Sequence, residues 1–297
     1  MFLMRLDQRG LQALDAVIQT QSFAAAAKQL FITQPAVTQR IKQLENQFGQ
    51  PLLIRSLPYQ ATPLGEKLLS LLRRTRLLEE HLLQEIHHES PARLSLALNR
   101  DSLETWFTRS LSTLGLLEKF NIDIITDDQE VTIDYFRKGL VSACVTSYDR
   151  ALPGCECSLL GQMTYLLVAA PEFVNRHFTN KRTLEDNLTH APAIIFDNRD
   201  RLPEHFFNYF FKRRLPLSRY HMVPSVQAYK EFALQGYGYG WIPALDVTEE
   251  LEQGLLQEIS SAMRWPIPLY WHYWQLPAKQ YQQFIKKVEQ GARQFLI

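Results

Sequence analysis

Cysteine is scarce: three thiols, Cys144, Cys155 and Cys157, serve a chain of 297 residues. An odd number cannot form a fully paired framework, and one C-x-C with no further Cys or His at ligand spacing makes no metal centre. These read as reduced buried or loop thiols, with no metal and no cofactor assigned. Net charge is nearly absent too. A formal +1 excludes both a basic nucleic-acid coat protein and an acidic disordered chain. No apolar run reaches transmembrane length, and the start MFLMRLDQRG lacks the apolar core of a signal peptide, so the expected place is the cytoplasm, with no membrane partner. Catalytic signatures are missing as well: there is no G-x-S-x-G, H-E-x-x-H or P-loop. GYGYG at 236–240 follows a helix and enters a strand, the reverse of a dinucleotide fingerprint, so Gly236 is read as a helix C-cap. No catalytic residue is assigned, and the chain is not read as an enzyme.

What is present begins at Phe23. FAAAAKQLFITQPAVTQRIKQLENQF has the form of a short Ala-rich helix, a tight turn and a second helix, a helix-turn-helix whose second helix is sized for the major groove. Ala24 to Ala27 favour helix and let another helix approach closely. Thr33 is placed to cap the second helix through its hydroxyl, and Pro35 falls in the first turn, where its missing N–H costs nothing. Val37, Ile41 and Leu44 form the buried stripe. The opposite face carries Gln34, Thr38, Gln39 and Lys42, with Arg40 beside it. Gln pairs bidentately with adenine, Thr contacts a thymine methyl or a base edge, and Arg and Lys reach phosphates. Residues 1–65 hold six basic side chains against three acidic ones, a net of +3 that suits a module touching phosphates. Taken alone, the pattern also fits an ordinary amphipathic hairpin with a solvated polar face.

A first helix is predicted over residues 8–19. Gly49 ends the second helix of the motif, and residues 51–62 read as a short wing with Arg55 as a further phosphate contact. From about residue 62 to about residue 88, Leu64, Leu68, Leu71, Thr75, Leu78 and Leu82 follow the a/d rhythm of a coiled coil. Such a seam implies a dimer, or else packing onto the chain's own first domain. HHESPA at 87–92 reads as a hinge. Beyond it strands alternate with helices, as in parallel βαβ units. LSLALN, IDIIT and LVSACVTS form one set; MTYLLVAA, AIIF, HMVP and GYGWI form another. PIPLYWHYW returns as a strand before a closing helix over 278–296, and Tyr270, Trp271, Tyr273 and Trp274 read as core or subunit interface.

Together these segments resemble the LysR-type transcriptional regulators over essentially the whole chain. Carrying residues include Phe23, Ala26, Ala27, Leu30, Thr33, Gln34, Pro35, Ala36, Val37, Thr38, Ile41, Leu44, Glu45, Gly49, Leu52, Arg55, Thr62 and Gly65. Within the family, LQALDAVI, ITQPAVTQRIKQLENQFGQPLL, DSLETW and LYWH are similar to a branch associated with basic-amino-acid control of arginine and lysine transport genes. The resemblance implies an α/β chain in four parts. These are a winged helix-turn-helix at 1–65, a dimerising linker helix and hinge at 66–91, effector subdomain I at 92–161 with 267–297, and effector subdomain II at 162–266. The two subdomains would be periplasmic-binding-protein-like. It also implies double-stranded DNA as partner, a homodimer or homotetramer on an interrupted palindrome, and contact with RNA polymerase. The wing, SLPYQATPLG, departs from the pattern by lacking a second basic residue after Arg55.

In such an architecture the ligand sits where strand ends meet helix starts, between the subdomains. Asn99, Asp101 and Ser102 follow the first strand, with Asp101 and Glu104 spaced as a capping box; free amides there and the Ser102 hydroxyl suit a ligand carboxylate. Thr126, Asp127 and Asp128 follow the second strand, and Thr146 and Ser147 the third. Asp197 and Asp200 follow AIIF, and Ser225 opens the helix after HMVP. Each Asp alone fits a helix cap. As a group, joined to the branch resemblance, they suit a small-molecule effector with an α-ammonium and a side-chain cation, lysine or arginine. Two other readings stay open: a small-molecule binding module whose first domain serves association only, and an architectural or replication-control DNA binder with no effector.

Overall fold

The computed structural model describes residues 6–87, 92–114, 120–179, 181–276 and 278–296. The first domain holds helices α1 (Gln8–Thr20), α2 (Phe23–Gln29) and α3 (Gln34–Phe48), then a two-residue-per-strand antiparallel wing, β1 (Leu53–Ile54) and β2 (Gln60–Ala61). Leu14, Val17, Ala26, Val37, Ile41 and Leu44 close its core. At Gly10 a Cβ would lie 3.0 Å from Leu44 Cβ and 3.2 Å from the Arg40 carbonyl, so α1 crosses α3 where there is no side chain. Gly49, at φ 68°, ends α3 in the left-handed conformation. One expectation fails here: Thr33 stands at the cap position of α3, but its exposed hydroxyl makes no cap bond.

Helix α4 (Pro63–His87) is capped by Thr62, whose hydroxyl accepts the Gly65 N–H at 3.2 Å. Its apolar residues divide between two faces. Leu68, Leu69 and Leu72 are buried against the first domain, with Leu64 packed beside them. Leu71, Leu78 and Leu82, expected on the same seam as Leu68, are about half exposed on the other face. The hinge expected at 87–92 lies outside the described residues, apart from its ends in α4 and the next strand.

The body comprises β3 (Ala92–Asn99), α5 (Arg100–Ser102), α6 (Thr108–Leu114), β4 (Phe120–Asp127), α7 (Thr132–Arg137), β5 (Ala143–Thr146) and β6 (Cys155–Ala169). It continues through α8 (Pro171–His177), α9 (Leu184–His190), β7 (Ala193–Ile195), α10 (Leu202–Phe211), β8 (Tyr220–Met222), α11 (Val226–Leu234) and β9 (Gly240–Pro243). The last elements are α12 (Ala244–Glu252), β10 (Gln257–Glu258), β11 (Trp265–Trp274) and α13 (Lys279–Phe295). A π-helical turn, Leu103–Phe107, joins α5 to α6.

β3, β4 and β5 are parallel, as the alternation of strands and helices implies. The rest is not a second separate parallel sheet. β6 and β11 pair antiparallel along their length and fuse the strands into one seven-stranded sheet, ordered β10-β6-β11-β5-β3-β4 with β9 also on β6. The divisions expected at 161/162 and 266/267 therefore fall inside these two long strands. A register shift between Leu269 and Tyr270 bends the pair opposite Gly161 and Leu159. Among the described residues, β7 and β8 form a further parallel pair. Trp271 and Trp274 are core, as read from the sequence; Trp274 stacks on Phe136 with centroids 4.2 Å apart.

Three side chains of α4 tie the two halves of the molecule together. Arg73 donates Nε and Nη2 to Asp15 Oδ1 at 2.9 and 2.7 Å and Nη1 to the Lys138 carbonyl at 3.0 Å. Ser70 donates to the Arg137 carbonyl at 2.7 Å, and the Arg74 guanidinium lies 4.1 Å over the Trp274 ring. Gly139, at φ 66°, lets this corner approach: a Cβ there would lie 3.1 Å from the Ser70 carbonyl and 3.2 Å from Arg73 Cβ.

Candidate functional site

Helix α3 rises about 22 Å over its 15 residues. Thr33 at its cap and Gln34, Pro35, Gln39 and Lys42 along it are exposed, while Thr38 and Arg40 are half-buried. Gln34, Pro35, Thr38, Gln39 and Lys42 line one shallow surface depression, so the polar set read from the sequence shares a face. Arg55 in the wing is exposed but not free. Its Nη2 donates to Glu45 Oε2 at 3.1 Å, while Glu45 Oε1 accepts the Leu52 N–H at 3.0 Å. Gln21 clamps the far side of the wing, donating to the Tyr59 carbonyl at 2.9 Å and accepting the Tyr59 N–H at 2.6 Å. Glu45 and Gln21 thus hold the wing against the helices. Sequence reasoning missed both roles, because neither shows a local spacing signal.

The second site is a cleft of about 790 Å³ including its open mouth, between the ends of β3 and β4 and the segments after β7, β8 and β9. Of the sequence-chosen residues, Asn99, Asp101, Asp127, Asp128, Asp197 and Asp200 line it. Four others do not. Ser102 is fully buried beneath the turn, and Thr126 is exposed on β4, where neighbouring side chains alternate. Ser147 lies half-buried outside the lining, and Ser225 accepts the Ala228 N–H as the cap of α11. The capping box also fails: Glu104 is exposed in the π-turn, and Asp101 turns to Tyr165 instead, whose hydroxyl donates to Oδ2 at 2.5 Å. Burial, with Asp200, Asp246 and Asp128 nearby, pushes the Asp101 carboxyl up to about 6, against the pull of the Tyr165 hydrogen bond.

Further lining residues escaped the sequence reading: Arg100, Tyr165, Phe196, Arg199, Tyr229, Trp241 and Asp246 among them. Several reach across the cleft. Arg100, at the start of α5, lies 4.3 Å over the Phe196 ring and 3.7 Å from Asp197 Oδ2. Arg199 returns the contact at 4.0 Å from Asp127 Oδ1, and His205 Nδ1 stands 3.2 Å from Glu130 Oε1. Tyr229 braces the cleft wall, donating to the Ile194 carbonyl and accepting the Trp241 N–H. The lining thus offers six carboxylates against two guanidinium groups, which favours a cationic guest that also carries an anionic group.

Residues 8–66 match the bacterial regulatory helix-turn-helix protein, lysR family, and residues 87–293 match the LysR substrate binding domain. The chain belongs to the LysR family. Among its relatives, the HTH-type transcriptional regulator ArgP of Aeromonas salmonicida is 42% identical, with 97% of each chain covered. ArgP of Photobacterium profundum is 38% identical, with 98% of each covered. The crystal structure of ArgP from Mycobacterium tuberculosis superposes with a TM-score of 0.83 at 32% identity, over 98% of this chain and 99% of that one. Full-length LysG from Corynebacterium glutamicum with bound effector Arg gives 0.78 at 25% identity, over 98% and 99%. This LysR-family chain is therefore a DNA-binding transcriptional regulator with an effector domain. Among the described residues no helix is long and apolar enough to cross a membrane.

Proposed function

We propose that this regulator binds a basic amino acid, arginine or lysine, in the acid-lined cleft, and that occupancy alters how α3 and the wing engage double-stranded DNA at amino-acid transport or metabolism genes. The observation that carries the reading is the lining itself: six carboxylates converge on a cleft that also holds Arg100 and Arg199 for an α-carboxylate. LysG, similar over nearly the whole chain, holds Arg as its effector. Gln34, Pro35, Thr38 and Gln39 take the base-reading role, with Thr33, Arg40, Lys42 and Arg55 on the backbone. The open stripe of Leu71, Leu78 and Leu82 suits a second copy, which would make a homodimer through α4 and a homotetramer on DNA. Ligand-driven change in the relation between dimers would then alter DNA bending or RNA polymerase recruitment, through differential affinity for two states. The reading places the protein in the cytoplasm with its DNA and assigns it no reaction.

A calorimetric screen of the twenty amino acids against the full chain tests the effector. Binding confined to arginine and lysine is the expected result; uptake of neutral or acidic amino acids alone would replace the reading.

A further inference from the structure

The six carboxylates of the cleft are not equivalent, and their existing partners sort them. Asp200 accepts the Phe196 and Leu202 N–H groups, one on each oxygen, at 2.8 and 3.0 Å, and so serves the turn. Asp197 accepts the Arg199 N–H at 2.7 Å and faces the Arg100 guanidinium with its other oxygen. Asp127 accepts the Asp128 N–H on one oxygen and the Tyr135 hydroxyl on the other, both at 2.9 Å. Asp246 is paired with the Lys230 ammonium at 3.1 Å, which also holds Glu250 at 3.0 Å. Asp128 accepts the Glu130 N–H at 2.8 Å. Asp101 differs from them all: among the described residues it has no cation within ion-pair distance and no backbone donor, only the Tyr165 hydroxyl on Oδ2.

A second feature points to the same place. Asn99, two residues before Asp101 and lining the same cleft, is 3% exposed, and its Oδ1 has no hydrogen-bond partner among the described residues. A buried acceptor left open costs stability unless something donates to it. Among the described residues, the turn from β3 into α5 therefore presents a neutral acceptor with no donor and a carboxylate whose one donor is the Tyr165 hydroxyl. A guanidinium or ammonium group supplies several donors together with the charge that Asp101 lacks.

We propose that Asp101 selects for a ligand with a terminal side-chain cation, that Asn99 shares the contact, and that Tyr165 is a positioning residue that holds the Asp101 carboxylate toward the cleft. This rests on the effector reading above and narrows it to one subsite. Charged and uncharged ligands of equal shape are told apart there, while Arg100 and Arg199 serve the α-carboxylate that every amino acid shares. The raised Asp101 pKa adds a consequence. The cation needs the ionised carboxylate, so binding below about pH 6 must displace a proton.

The test is calorimetric titration of the full chain with L-arginine and with L-citrulline, which replaces the guanidinium by a neutral urea of the same shape. Asp101→Asn is expected to weaken arginine by roughly 10- to 100-fold while leaving citrulline almost unchanged, so that the preference for the cation collapses. Glu104→Gln, at an exposed carboxylate outside the cleft lining, is expected to keep the preference. Tyr165→Phe folds around the same ring and removes the bond that favours the ionised Asp101; its arginine affinity should begin to fall at a higher pH than in the parent protein. A parent protein that binds arginine, together with an Asp101→Asn variant that still prefers it over citrulline, overturns the assignment but not the effector reading. An unmoved pH profile in Tyr165→Phe overturns the positioning role, and serves as the deciding result if Asp101→Asn fails to fold. A parent protein that binds neither arginine nor lysine overturns both.

Discussion

Removing the Arg73 charge is expected to loosen the first domain from within. Asp15 sits on α1 with its side chain 2% exposed, held by Arg73 on Oδ1 and by Arg76 on Oδ2 at 2.8 Å. Arg73→Met keeps most of the volume but strips two charge-assisted bonds from Oδ1 and one donor from the Lys138 carbonyl. Breaking a buried pair by deleting one partner costs about 3–5 kcal/mol. Arg76 remains, and its side chain is 37% exposed, so the lower end applies, about 3 kcal/mol. Because the chain has more than one domain, a single unfolding transition would mix their stabilities. Hydrogen exchange of α1 amides, read by mass spectrometry, isolates the local term. Exchange in α1 should rise about 100-fold, the factor that about 3 kcal/mol represents. The double variant Asp15→Leu with Arg73→Met removes both buried charges and should recover most of that protection. An α1 whose exchange is unchanged in Arg73→Met would refute the assignment of this cluster as the anchor of the first domain.

Other consequences follow from the two sites and the helix between them. Gln34→Ala should cost about 1–3 kcal/mol on a selected DNA site and little on random DNA in gel-shift titrations, whereas equal losses on both would remove it from base reading. Lys42→Ala should lower affinity alike on both and reduce the slope of log affinity against log salt by about one, measured by fluorescence anisotropy. Leu78→Glu with Leu82→Glu should yield monomers by analytical ultracentrifugation without loss of helix, since neither side chain is buried within the chain. Arginine affinity should be level above pH 7 and fall by up to about tenfold per pH unit below about 6. The free carboxyl of Asp101, raised to about 6, is protonated there and the bound form must be ionised. A level affinity down to pH 5 would contradict that.

The first domain was legible because its signals are local. The turn before Gln34, Pro35 in the first turn, the Val37–Ile41–Leu44 stripe and Gly49 each act within a few residues. The cleft was legible by halves. Asn99, Asp101, Asp127, Asp128, Asp197 and Asp200 stand at or just beyond strand ends, where topology alone directs them to the opening. Tyr165, Trp241 and Asp246 arrive only because β9 pairs with β6 across 72 or more residues of sequence, and no spacing rule announces that pairing. Ser225 was misplaced for the opposite reason: its local capping duty outweighs any ligand role. The α4 seam was misjudged because a stripe of leucines cannot show which turn meets its own domain and which meets a partner. Leu68 is buried within the chain, and Leu78, ten residues on, is open.

In the proposed function a cationic amino acid in the cleft changes how this regulator holds DNA. Footprinting of the full chain on a fragment selected from a random DNA pool, with and without arginine or lysine, decides whether it does. The protected length or the pattern of enhanced cleavage is expected to change with either basic amino acid and not with citrulline. Identical footprints at ligand concentrations that saturate the cleft by calorimetry would contradict it.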